Sequence, residues 1–309
     1  MNQLQNQNQN QLSINDKLVY KYLRFVDVQE QSAETYVKAI RQLSIYLNDN
    51  GITAPVREDL LKFREFLKET GHKNTTIQTY IVAIRLFFKW LAQEGLYLNI
   101  ADNIKAPKVS REHKKDYLTA NQIKGILKSI DTSTLQGKRD YALISLLVTC
   151  GLRTIEVVRA NIEDLQALGD NTVLYIQGKG REDKAEYVKV PLQVEKAIRE
   201  YLKVRCKATS NEPLFTSLSN NSKDKRMTTR AIRGIIKDIF KKNGYDNERI
   251  TTHSLRHTAV TLSLLSGKDI TEVQEFARHK NIATTMIYNH ALDKAKNSCS
   301  SAISNAIFN

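Results

Sequence analysis

Residues 172–190 read TVLYIQGKGREDKAEYVKV. Two short runs, 172–177 and 185–190, are rich in β-branched and aromatic residues and flank a charged spacer that holds two glycines. That pattern predicts a β-hairpin. No other stretch of the chain makes a persuasive strand. Upstream, the run YALISLLVTC (141–150) predicts a very apolar helix from about residue 139 to residue 150, at the centre of a domain. Downstream, helices are expected at about 193–207, 228–242, 253–266, 270–277 and 282–289. A short antiparallel sheet on a helical scaffold is an α+β domain.

The chain ahead of this domain reads as helix throughout. Leu18, Tyr22, Phe25 and Val26 fall at helical spacing. Ser32 is the expected N-cap of a second helix, with Tyr36, Ile40, Leu43 and Leu47 on its buried face and Asn50-Gly51 at its end. A third helix is expected from Arg57 to Glu69, stopped by Gly71. A fourth starts at Asn74 or Thr75, buries Ile77, Tyr80, Ile81, Ile84, Phe87, Phe88 and Leu91, and stops at Gly95. Residues 16–105 thus form a four-helix unit. Lys73, Asn74, Thr76, Arg85 and Lys89 lie at the start or on the exposed side of its last helix, as a solvated face or a nucleic-acid contact. Residues 1–15, MNQLQNQNQNQLSIN, read as a disordered polar tail. Residues 106–116, APKVSREHKKD, read as a linker, and residues 117–309 as a second domain whose first helix is capped by Thr119.

Composition narrows the function. The 309 residues carry 47 basic and 33 acidic side chains, a net charge of +14. Residues 106–309 hold 34 of the basic and 22 of the acidic groups, so +12 of the excess falls there. Such an excess points to a polyanionic partner, nucleic acid above all. No run approaches the ~18 uncharged apolar residues of a membrane span, and no secretory signal is expected. The three cysteines, Cys150, Cys206 and Cys299, are far apart and lack CxxC spacing. A disulfide scaffold and a structural zinc site are therefore not expected, and a reducing, cytoplasmic setting is. His253 and His257 have zinc-like i, i+4 spacing, but no Glu follows His253 as in HExxH, so no metal site is expected.

Several second-domain residues gain meaning when taken jointly. Arg153 stands in GLRTIE (151–156) at the exit of the apolar helix, with Glu156 one turn later. Lys179 lies in the hairpin turn, in QGKGREDK. His253 and Arg256 open a helix in HSLRH, His279 closes the next in FARHK, and Tyr288 follows nine residues on. In the order Arg, Lys, His-x-x-Arg, His, Tyr, this constellation resembles the tyrosine recombinase (phage integrase) family, in its simple two-domain, Xer-like form. The resemblance covers about residues 16–295.

The resemblance implies a fold and a chemistry. The amino-terminal unit is then a helical, SAM-like core-binding domain, and the rest is the family's mainly helical α+β catalytic domain. Tyr288 is the nucleophile that attacks a DNA phosphodiester, leaving a 3′-phosphotyrosyl link and a free 5′ hydroxyl. A neutral phenol needs activation. Arg153 and Arg256 clamp the non-bridging oxygens with planar forks that lysine lacks. His253 and His279 contact the phosphate and assist proton transfer, either one as base. Lys179 is the general acid on the departing 5′ oxygen, ahead of Lys184 and Lys189. Glu156 supports Arg153 or His253. No cofactor, metal or ATP is implied, and no phosphate-binding GxxxxGK[ST] loop is present.

The implied partner is double-stranded DNA bearing inverted-repeat core sites, engaged by both domains in a homotetramer on two sites, and the resemblance leaves room for accessory DNA-bending factors. The protein is then cytoplasmic and nucleoid-associated. Lys225, Arg226, Arg230 and Arg233 are further candidate DNA contacts, or a solvated face. The chain is too short for an added arm-binding domain. The apolar end, through Ile303, Ala306, Ile307 and Phe308, docks on a neighbouring protomer or in cis. Two other functions fit: a type IB topoisomerase, with a similar constellation, and a DNA-binding factor without catalysis. One departure stands out. The family usually has glycine before the second histidine, where this chain has Arg278, expected as a surface arginine ahead of a phosphate contact.

Overall fold

The computed structural model describes residues 11–26, 28, 30–109, 116–178, 183–205, 209–296 and 299–308. The chain falls into two compact units, residues 1–111 and 112–309.

The first unit holds α1 (Asp16–Phe25), α2 (Glu30–Asp49), α3 (Arg57–Glu69) and α4 (Asn74–Gln93). Its core is aromatic. Tyr22, Phe63, Phe87 and Phe88 are buried, and the Tyr22 ring meets Phe87 edge-on at 5.3 Å. Burying each such ring contributes roughly 1.5–3 kcal/mol. Gly51, at the end of α2, takes the left-handed conformation that stops a helix, with φ +65°. Three local expectations change. Ser32 is not the cap of α2, because Glu30 is already helical and Ser32 lies in the first turn. Residues 11–15 are not a loose tail: Leu12 N–H donates to the Thr53 carbonyl at 2.8 Å, and the Asn15 side chain caps α1 by accepting from Leu18 N–H at 3.0 Å. Residues 1–10 lie outside the described residues. Tyr80 is only partly buried.

The second unit runs α5 (Ala120–Lys128), α6 (Leu135–Thr149), α7 (Thr154–Arg159), a single 3-10 turn (Ile162–Asp164), then β1 (Leu165–Leu168), β2 (Asn171–Ile176) and β3 (Glu186–Val190). After the sheet come α8 (Leu192–Val204), α9 (Thr229–Lys242), α10 (Thr252–Leu265), α11 (Ile270–Ala277), α12 (Ile282–Lys296) and α13 (Cys299–Phe308). Helix α6 is the central post. Leu143, Ile144, Leu146 and Leu147 are buried in one cluster with Leu174 and Ile176 of the sheet, Ile198 of α8 and Leu255 of α10. The sheet is antiparallel in the order β1-β2-β3. The hairpin expected from the sequence is β2-β3. Strand β1 escapes a sequence reading because LQAL has no β-branched residue. Its signal is the Gly169-Asp170 turn, where Leu168 pairs with Asn171 and Gly169 has φ +57°.

Two helices exceed their expected lengths. Helix α12 continues to Lys296 instead of ending at 289. Helix α6 starts one turn early, at Leu135, because Thr134 Oγ1 accepts from Gly137 N–H at 3.0 Å. Gly137 has no room to spare: a Cβ there would sit 1.7 Å from the Asp131 carbonyl oxygen. Gly137→Ala must push that backbone aside, and thermal unfolding should show a loss of about 2–3 kcal/mol. Among the described residues, no helix is long and apolar enough to cross a membrane.

Candidate active site

The turn from α6 to α7 is where the site begins. Gly151 has φ +57°, and a Cβ on it would lie 3.0 Å from the Phe276 ring of α11, so glycine lets the turn and the end of α11 come together without strain. Arg153 is then the N-cap residue of α7 and Glu156 its third residue. Glu156 is buried without exposure, yet both of its oxygens are occupied. Oε2 accepts from the Arg153 backbone N–H at 2.8 Å, and Oε1 accepts from Arg153 Nη1 at 2.9 Å. The capping carboxylate therefore also aims the arginine.

Arg256, in the first turns of α10, is only 2% exposed. Its Nη1 donates to the Gly151 carbonyl and its Nη2 to the Ala277 carbonyl. Burial, followed by the charges of Arg153 and Arg278, pushes its guanidinium down to about 9, which leaves it charged at neutral pH. Helix α11 ends in a Schellman motif: Arg278 N–H donates to the Glu275 carbonyl at 2.8 Å and His279 N–H to the Gln274 carbonyl at 3.1 Å. The left-handed residue is Arg278, at φ 53° and ψ 46°. Its carbonyl accepts from Arg153 Nη2 at 3.2 Å. The two turns, 151–153 and 277–279, thus bring Arg153 and Arg256 into one cluster.

Helices α10, α11 and α12 meet around Tyr288. Its ring is 6% exposed and packs with Val260, Val273 and Ala277. Burial pushes its phenol up to about 12, opposed by the charges of Arg256 and then Arg153. The His279 ring stacks beside it at 6.2 Å, and His257 lies on it at 5.1 Å. His253, exposed at the start of α10, meets His257 edge-on at 4.7 Å. His279 Nδ1 is 2.9 Å from Thr285 Oγ1. Burial first, then Arg256, Arg153, Arg278 and His253, push His279 down to about 4. Its folded affinity for a proton is thus below the unfolded value near 6.5, and protonation favours unfolding. Stability is fully present above about pH 6.5 and falls as the pH drops towards 4. Thermal unfolding of His279→Asn between those pH values should show a flatter pH dependence than wild type.

The remaining candidates fall elsewhere. Lys179 lies outside the described residues. Beside it, Gly178 offers its carbonyl to Arg159 Nη1 at 3.1 Å, and Lys184 pairs with Asp164 at 2.5 Å. Lys189 is exposed on β3. In the first unit, Lys73 and Asn74 are exposed at the start of α4, Thr76 is half-buried, and Arg85 and Lys89 are exposed one turn apart. In the second, Lys225, Arg230 and Arg233 are exposed at and before the start of α9. Arg226 is committed to the protein: it donates to the Val158 carbonyl at 2.7 Å and to Asn161 Oδ1 at 2.6 Å. Among the described residues, no group of three His, Cys, Asp or Glu is placed to hold a metal ion.

Three site residues escape the sequence reading. Thr285 is one turn before Tyr288, and His257 is one turn after His253, so helical spacing was their signal. The third is Arg278. It is not a surface arginine: its side chain is 10% exposed, and its Nη2 lies 3.1 Å from Glu156 Oε2. The left-handed backbone turns the side chain inward instead of out to solvent.

A helical first unit, an α+β second unit and a cluster of arginines, histidines and a buried tyrosine define the class of the tyrosine recombinases. The chain belongs to the Phage integrase family, whose pattern matches residues 116–295, while the Phage integrase N-terminal SAM-like domain matches residues 19–95. Among similar proteins, the tyrosine recombinase XerC of Herpetosiphon aurantiacus is 33% identical over 236 residues, 76% of this chain and 75% of that protein. The tyrosine recombinase XerD of Listeria monocytogenes serotype 4b is 30% identical over 288 residues, 88% of this chain and 93% of its own. XerA of Pyrococcus horikoshii is 30% identical over 296 residues, 92% of this chain and 95% of its own. The fold matches that of the XerH site-specific recombinase bound to its palindromic difH substrate in a post-cleavage complex. That match has a TM-score of 0.73 and 22% identity, over 89% of this chain and 80% of the other.

Proposed function

We propose that this protein is a site-specific DNA recombinase in which Tyr288 forms a 3′-phosphotyrosyl bond. The observation that carries the reading is the buried Tyr288 ring beside a neutral His279, within the field of two arginines fixed by the same pair of turns. Arg153 and Arg256 hold the non-bridging oxygens of the scissile phosphate and stabilise the charge that grows on them in the transition state. His279, neutral at physiological pH, or His253 takes the proton as the Tyr288 oxygen attacks phosphorus. The bond from phosphorus to the 5′ oxygen breaks, and Lys179 delivers a proton to that oxygen. A 5′ hydroxyl from a second strand reverses the steps and releases the tyrosine. One phosphodiester is exchanged for another, so the sum requires no ATP.

The wider reading follows from charge and relatives. Residues 16–105 and 117–309 act as DNA-binding domains on a duplex with inverted-repeat core sites, joined by the linker 106–116. The net charge of +14 makes affinity fall steeply with salt. Exposed Lys73 ahead of α4, Asn74, Arg85 and Lys89 on it, and Lys225, Arg230 and Arg233, supply phosphate contacts. Four copies act on two sites, held through the apolar end of the chain: Ile303 and Ile307 on α13 are exposed on their own protomer. The setting is the cytoplasm, at the nucleoid.

The test is covalent capture. The protein is incubated with nicked genomic fragments and denatured, and the DNA ends linked to it are sequenced. Adducts gathered at one inverted-repeat sequence are expected. Scattered adducts together with relaxation of supercoiled plasmid would assign a topoisomerase instead, and no adduct would leave a DNA-binding factor without catalysis.

A further inference from the structure

We infer that Arg278 is a positioning residue for DNA cleavage: its guanidinium binds the Glu156 oxygen that also accepts the Arg153 backbone N–H, and it sets the pose of Arg153 for the phosphate. The inference rests on the recombinase reading above. Its geometry is independent of it. Arg278 Nη2 donates to Glu156 Oε2 at 3.1 Å and to the Gly151 carbonyl at 3.1 Å, and Nη1 donates to the Phe276 carbonyl at 2.9 Å. One side chain thereby ties the turn between α6 and α7 to the end of α11. The Arg278 backbone carbonyl, meanwhile, holds Arg153 Nη2. Arg278 and Arg153 grip each other through a shared carboxylate and a carbonyl.

Two features show that the side chain is held in place against opposing forces. A non-glycine residue in the left-handed region is strained. Its Nε is buried without a hydrogen-bond partner, which carries a desolvation penalty. Glycine at this position would avoid both. What offsets them is Glu156. A fully buried carboxylate needs its charge compensated. If Arg153 alone supplied that, its own charge would be spent on Glu156. With Arg278 sharing the carboxylate, Arg153, Arg256 and Arg278 oppose one negative group, and the cluster stays net positive towards an incoming phosphate. The three Arg278 side-chain hydrogen bonds go to Glu156, Gly151 and Phe276, so it acts through Arg153.

The test compares wild type, Arg278→Gly and Arg278→Lys as full chains on the nicked DNA site captured by wild type. Single-turnover cleavage, DNA affinity and the pH dependence of cleavage are measured for each. Glycine suits the left-handed backbone, so Arg278→Gly should melt within a few degrees of wild type. The glycine variant should cut about tenfold more slowly with affinity changed less than threefold. The acid limb of its pH profile should move to higher pH. His279 is faced by Arg256, Arg153, Arg278 and His253, and loses one of these charges. Lysine restores the charge without the fork, so it should restore the pH profile but not the rate. Cleavage by Arg278→Gly at the wild-type rate with the wild-type pH profile overturns this inference alone. A wild-type chain that forms no adduct overturns the recombinase reading and this inference with it.

Discussion

Tyr288→Phe should form no covalent DNA adduct and exchange no strands, at any enzyme concentration that still binds DNA. The substitution removes one oxygen and keeps the ring. That ring is what Val260, Val273 and Ala277 pack against, and what His257 and His279 lie beside at 5.1 and 6.2 Å. Stability should therefore fall by only about 1 kcal/mol, the typical worth of one hydroxyl, and DNA affinity should stay within threefold. Thr285 is the nearest candidate for a substitute nucleophile, but it is fully buried and its hydroxyl is engaged by His279. Denaturing electrophoresis of labelled, nicked DNA gives the answer directly. An adduct that persists in the Phe variant would move the nucleophile to another residue.

Arg256→Lys should slow cleavage by roughly 100-fold or more, the loss expected when one preorganised donor to a developing oxyanion is removed, about 3 kcal/mol. Arg256 is nearly wholly buried, and its two terminal nitrogens are anchored to carbonyls from two separate turns, at Gly151 and Ala277. An ammonium has no planar fork. It would leave a carbonyl unpaired, and melting should report a further loss of about 1–3 kcal/mol. Two effects on one variant make a demanding check, since one guanidinium serves both roles. A lysine variant that cut within fivefold of wild type would remove Arg256 from the clamp.

Much of this was legible in the residues. Helix α3 has the bounds that Arg57, Glu69 and Gly71 predict, and Thr119 caps α5 as its place before residues 121–130 predicts. These features are local, and local rules find them. The hairpin β2-β3 declared itself through β-branched and aromatic residues, whereas β1 did not, because it is held by its pairing with β2 and not by its own propensity. The cluster of Arg153, Glu156, Arg256, His279 and Tyr288 could be gathered by resemblance. The way Glu156 is used could not. Its second partner, Arg278, lies 122 residues away in sequence, and only the left-handed turn at the end of α11 brings them together. A lone arginine in place of a glycine carries no sign of whether it points inward.

The shared carbonyl of Gly151 also bears on how the protein is made. It accepts from both Arg256 and Arg278, while Arg256 reaches on to Ala277. A ribosome has released Gly151 and Arg153 long before Ala277, Arg278 and Tyr288 emerge, and domains fold as units once their parts are available. A nascent chain stopped between residues 153 and 276 therefore has Arg153 and the Gly151 carbonyl, but neither the Ala277 carbonyl that also holds Arg256 nor Tyr288. On the proposed mechanism an unfinished copy has no working blade, so interrupted synthesis yields no fragment that cuts DNA.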